Sequence, residues 1–158
     1  MADDLRLTQA PGVHAGVLIR RPPTDDSAAF ADPAITTKIW FTKSSGRMAP
    51  GAELRWEWEM YGAIADLHVR EMEPNRRIRF DWDEPARAVE IGLTPWNDAT
   101  TDVQITEPGF TGNGDQLAAA VADSTGSFTF LVRALEALLE HGWCCGSWRT
   151  LVRLGSRL

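Results

Sequence analysis

Cysteine is nearly absent from this chain of 158 residues: the two present, Cys144 and Cys145, are neighbours. Adjacent Cα atoms lie about 3.8 Å apart, short of the roughly 4.4–6.8 Å that a relaxed disulfide spans. That excludes a disulfide framework. With no C-x-x-C and no Cys/His spacing in the sequence, a zinc site is excluded as well, and neither metal nor cofactor is expected. Long apolar runs are missing, since nothing approaches the ~18 residues of a membrane span. The opening MADDLRLTQAPG has no basic segment followed by an apolar one, so a cytoplasmic location is expected. Basic charge is short too, with 16 Lys and Arg against 22 Asp and Glu and a net charge of −6. This argues against a nucleic-acid partner. G-x-S-x-G, H-E-x-x-H and P-loop patterns do not occur, and Gly112-x-Gly114 is too short to cradle a phosphate. No catalytic set is visible, so an enzyme is not the leading expectation.

What the chain does have is periodicity. Phe128, Leu131, Val132, Leu135, Leu138 and Leu139 recur at helical spacing opposite Thr129, Arg133, Glu136 and Glu140, which predicts one long amphipathic helix over 123–142. Its stripe is too wide for a coiled-coil seam and needs a broad apolar surface. Ser124-Thr125-Gly126 predicts a kink or break near its start. Upstream, Gly112 to Asp115 ends the strand region, and Asp115 is the expected N-cap for Gln116 to Ala122.

The surface for that helix comes from strands. His14 to Arg20 predicts a first strand, with Val17 and Ile19 on one face. Two short helices follow: one with cap chemistry from Thr24-Asp25-Asp26, the other over Ala34 to Phe41 behind Asp32-Pro33. Then the period becomes two. Leu54, Trp56, Trp58 and Met60 share a face, as do Ala65, Leu67 and Val69; Ile78, Phe80 and Trp82; Val89, Ile91 and Leu93; and Val103 and Ile105. Half-apolar strands in series predict an antiparallel sheet with one wet face. The fold class is therefore α+β, a curved antiparallel sheet wrapped around a long C-terminal helix with two short helices after the first strand. This is the helix-grip order.

Several separate runs carry a resemblance: DPAITTKIWFTKSSGRMAPGAELRWEWEMYG, VREMEPNRRIRFDWDEP, ITEPGF and DSTGSFTFLVRALEALLEHG. In that order they resemble the branch of the START-like (SRPBCC) superfamily named after the activator of the heat-shock-protein-90 ATPase. The resemblance covers residues 14–142 and implies a helix-grip domain with a hydrophobic cavity between sheet and terminal helix. Residues 1–13 are then a loose N-terminus. The implied partners are a small apolar or amphipathic ligand or, from the branch's name and its link to stress response, a chaperone. A monomer or a homodimer fits either.

Candidate ligand-binding residues are Trp40, Trp56, Trp58, Met60, Phe80, Trp82, Phe128, Leu131 and Leu135, which would line an aromatic cavity. The competing expectation is that the same side chains fill the core. On the polar face, Glu57, Glu59, Asp66, His68, Arg70, Arg77 and Arg79 are laid out for cross-strand ion pairs. His68 invites a general-base role but alternates away from the apolar face. Asp81, Asp83 and Glu84 fit a strand end better than a carboxylate dyad. A cyclase or dehydratase would need an ionisable group on the apolar face, and the alternation supplies none. Three function classes thus stand: ligand binder, chaperone-activating interaction module, enzyme.

After Gly142 the chain departs from the family pattern. WCCGSWRTLVRLGSRL holds three arginines and no acid, which leaves the rest of the chain at −9. Trp and Cys have nearly unique codons, and one frame over the same bases give Val and Leu, then residues compatible with the family's apolar ending. Residues 143–158 are expected to be an atypical tail, with a single-base deletion as its origin and a divergent terminus as the alternative.

Overall fold

The computed structural model describes residues 7–83 and 85–144. Among the described residues seven strands and three helices follow one another: β1 (Val13–Ile19), α1 (Pro23–Ala31), α2 (Pro33–Ile39), β2 (Lys43–Ser44), β3 (Glu53–Trp58), β4 (Ala63–Glu73), β5 (Arg77–Trp82), β6 (Arg87–Asn97), β7 (Thr100–Glu107) and α3 (Gly114–His141). All strands pair antiparallel in the order β1-β7-β6-β5-β4-β3-β2. The architecture is the α+β helix grip that the periodicity predicts.

Alternation sets which side chains face the helix. Along β1, Val13, Ala15, Val17 and Ile19 are buried while the residues between them are exposed. The same rule sends Leu54 and Trp56, Leu67 and Val69, Ile78 and Phe80, and Val103 and Ile105 inward. Helix α3 answers with Phe128, Leu131, Val132, Ala134 and Leu135, all buried. Burying each of the larger ones is worth roughly 1.5–3 kcal/mol. The register shifts once in β4, between Val69 and Glu71, and once in β6, between Pro95 and Asn97. Such bulges bend a strand, and the second accommodates a proline within it.

Several expectations need correction. Helix α3 is unbroken from Gly114 to His141, with Ser124, Thr125 and Gly126 inside it; the Thr125 hydroxyl donates back to the Val121 carbonyl (2.6 Å), which satisfies it without opening the helix. Its cap is Asn113 rather than Asp115. The Asn113 side chain accepts from Gln116 N–H, and Gln116 returns a bond to the Asn113 N–H, a complete capping box. Helix α1 starts on Pro23 behind Pro22 with no side-chain cap, and Asp25 and Asp26 lie in its first turn. Asp32 caps α2 through Ala34 N–H (2.9 Å). Strand β2, only two residues long, lies in a stretch that composition assigns to a turn. At the far end, Gly142 takes a left-handed conformation (φ 68°) and closes α3. Trp143 beyond it is exposed and the Cys144 thiol lies 3.4 Å from the Lys38 carbonyl oxygen. The rest of the tail, 145–158, and residues 1–6 lie outside the described residues.

Candidate functional site

Most of the candidate residues meet between the sheet and the second half of α3. Trp40 at the end of α2 brings its ring centroid to 4.7 Å from Trp56 and 5.9 Å from Phe128. Phe41 stacks on Trp56 at 4.6 Å, and Trp56 meets Phe80 edge-on at 5.3 Å. Trp82 lies 5.7 Å from both Phe80 and Phe128. These are the separations at which aromatic rings attract one another. Trp40, Trp56, Phe80, Phe128, Leu131 and Leu135 are buried, whereas Trp58 and Trp82 are half-buried. Met60 is not part of the cluster. Strand β3 ends at Trp58, so the period of two stops there, and Met60 stands 46% exposed in the β3–β4 turn beside Tyr61. Phe41, which the sequence places at a helix end, belongs to the cluster instead.

One polar atom is stranded among the rings. The indole Nε1–H of Trp56 is buried and has no hydrogen-bond partner among the described residues. Leaving such a donor unpaired costs about 1–3 kcal/mol.

A second feature lies at the end of the grip where β3, β5 and β7 finish. Glu107, the last residue of β7, is wholly buried and points inward. One of its oxygens accepts from Trp82 Nε1 (2.7 Å) and Arg87 Nε (3.0 Å), the other from the Ser124 hydroxyl (2.6 Å). Arg87 also pairs with Asp83 (2.6 Å) and lies 4.5 Å over the Phe110 ring. Burying a carboxylate this deep is costly unless it is paired and hydrogen-bonded, and here one strand end, one strand start and α3 converge to supply the donors. The sequence reading that the apolar face lacks an ionisable group is overturned. The signal was present: extending the alternation of Val103 and Ile105 by two residues reaches Glu107, within the ITEPGF run.

The polar face behaves differently. Arg55 grips Asp66 through two bonds (2.7 and 2.9 Å), Arg70 pairs with Asp81 (2.6 Å), and His68 Nδ1 lies 3.9 Å from Glu53. They border an open depression of about 530 Å³. His68 is therefore on the outer face, away from the rings.

Residues 28–140 match the family model described as activator of Hsp90 ATPase homolog 1-like protein. The chain belongs to this family. Solved structures agree on the fold. A protein of Staphylococcus saprophyticus, SSP2350, is 24% identical, with 84% of this chain and 93% of that one covered at a TM-score of 0.73. The Aha1 dimer from Colwellia psychrerythraea is 17% identical over 84% and 98% of the two chains (TM-score 0.72). DynU16, a putative protein in the dynemicin biosynthetic locus, is 24% identical over 83% of this chain and 48% of its own (TM-score 0.73). No curated protein matches the chain. For this member of the family, no described helix is long and apolar enough to cross a membrane.

Proposed function

We propose that this domain binds a small, flat, apolar or amphipathic molecule between the sheet and α3. The contacts would come from Trp58 and Trp82, with Trp40, Trp56, Phe80, Phe128, Leu131 and Leu135 behind them and Met60 at the rim. The observation that carries the proposal is the unpaired indole N–H of Trp56 at the centre of the cluster. A ligand acceptor would relieve the cost of leaving it unpaired. The half-buried Trp58 and Trp82 lie on one side, and the first half of α3, where Leu117 and Val121 are only partly buried, offers a wall that a ligand can move. Titration with fatty acids, sterols and polyaromatic compounds while following tryptophan fluorescence tests it. Saturable quenching by one class supports the proposal, and none across all three defeats it.

The family description supplies a second reading, activation of a chaperone ATPase, which the charged outer face and its depression favour. Under that reading, reversing charge at Arg77 and Arg79 changes the stimulation of an Hsp90 ATPase and leaves quenching untouched. An enzymatic reading gains in Glu107 the ionisable group it needs.

A further inference from the structure

The Glu107 cluster gives the ligand a polar end. Resting on the ligand-binding reading above, we infer that the domain selects a flat aromatic molecule bearing a neutral hydroxyl, whose O–H takes the place of Ser124 on Glu107, and that it discriminates against carboxylates and phosphates.

The acceptor side follows from the bonds already made. One Glu107 oxygen accepts from Trp82 and Arg87, while the other, among the described residues, holds only the Ser124 hydroxyl. A carboxylate offers about four acceptor sites in all. Capacity therefore remains on the oxygen that faces α3, and the group occupying it is a neutral O–H, which sets the chemistry of a replacement. Trp82 brings the edge of its half-buried indole to the neighbouring Glu107 oxygen through its N–H, so an aromatic ring already stands beside the carboxylate.

The rejection of anions follows from charge. Glu107, Asp83 and Arg87 sum to −1 among the described residues of the cluster. The single cation is already shared between two carboxylates, with Nε on Glu107 and Nη2 on Asp83, and its plane lies over Phe110. An incoming carboxylate would face the buried Glu107 carboxylate, with the cluster's one cation already divided between Glu107 and Asp83. A hydroxyl needs no counter-charge and restores the bond that Ser124 gives up.

Access requires Ser124 to withdraw, and α3 permits it. No residue of α3 before Phe128 is buried, so this half of the helix is held by partial contacts of Leu117 and Val121 and by the Ser124 bond itself.

Three matched probes test this on the full chain: 2-naphthol, 2-naphthoate and naphthalene, titrated against the ¹⁵N indole signals, with Trp82 assigned by Trp82→Phe. Expected is a shift of the Trp82 indole signal by 2-naphthol, at an affinity about tenfold or more above that for 2-naphthoate, the scale of one hydrogen bond to a charged group. Ser124→Ala removes the competing hydroxyl and eases entry for every probe, so it should tighten 2-naphthol and naphthalene alike by the cost of displacing Ser124. Glu107→Gln should erase the preference between naphthol and naphthoate. Naphthoate binding as tightly as naphthol to the wild type, or Ser124→Ala weakening naphthol and naphthalene alike, overturns the inference while leaving the ligand reading in place. Failure of all three probes to bind overturns the inference, and the ligand reading falls with it only when fatty acids and sterols also leave the tryptophan fluorescence unchanged.

Discussion

Asp26 lies in the first turn of α1, fully buried, and neither carboxyl oxygen has a hydrogen-bond partner among the described residues. The nearby Thr101 hydroxyl donates to the Arg21 carbonyl instead (2.8 Å). Burial pushes the Asp26 pKa from 3.8 up to about 7, with added repulsion from Asp25 and against the attraction of Arg21. The unfolded chain releases this proton near pH 3.8 and the folded one near pH 7. Between those values the folded state binds more protons, so this residue's contribution to stability falls as pH rises and its loss is complete above about pH 7. Glu140 acts in the opposite sense: the Arg20 backbone N–H holds its pKa below 4.5, and its contribution is lost as pH falls from there. Replacing Asp26 by Asn should therefore stabilise the protein at pH 8 by up to ~4 kcal/mol and have little effect at pH 4, measured by urea unfolding at both values. An equal effect at the two pH values would show that Asp26 does not titrate in this range.

At the scale of elements, Gly126 is the informative residue. It lies in the interior of α3, and a Cβ there would meet nothing within 4 Å. Gly126→Ala should raise stability by about 0.5–1 kcal/mol through the lower backbone entropy of the unfolded chain, read as a shift in thermal or urea midpoint. A loss instead would mean that α3 needs flexibility at this point to hold its native packing. The same residue explains why the sequence misled. Ser124-Thr125-Gly126 carries the composition of a helix break, but local propensity is worth under about 1 kcal/mol per residue and is outweighed by packing. Phe128 is buried just after it and Ser124 is bonded to Glu107, so packing on one side and a single hydrogen bond on the other keep the suspected break helical against the sheet. The strands, in contrast, were legible because half-buried sheets force a period of two, and Leu54, Leu67, Phe80, Val89 and Val103 all obeyed it. That period failed at Met60, where a turn begins, and strand β2 was too short to show one. Glu107 was missed for a different reason. A charged residue at an inward position looks like the end of the strand, and only the three donors gathered from β5, β6 and α3, all distant in sequence, reveal why it is there.

Across the whole molecule, α3 is held very differently at its two ends. Its second half buries Phe128, Leu131, Val132, Ala134 and Leu135, and Glu140 clamps it to the end of β1 through the Arg20 backbone N–H (2.7 Å) and guanidinium (3.2 Å). The Glu140 side chain is only 5% exposed, so removing it with Glu140→Ala leaves a backbone donor unpaired and should cost about 1–3 kcal/mol in urea unfolding. The first half buries no residue fully. Segments with few buried apolar contacts open locally at lower free energy than the core, so the helix should be a single element with two stabilities. Native-state hydrogen exchange provides the measurement: amides over 118–126 are expected to exchange at least about tenfold faster than those over 128–140, the equivalent of ~1.4 kcal/mol in opening free energy. Ser124→Ala should widen that gap by loosening the first half alone, whereas Glu140→Ala should narrow it by loosening the second. Uniform protection along the helix would mean that the partial contacts of Leu117 and Val121 suffice to lock it down. The grip would then offer a ligand no moving wall, and access to the rings would have to come past Trp58 and the β3–β4 turn instead.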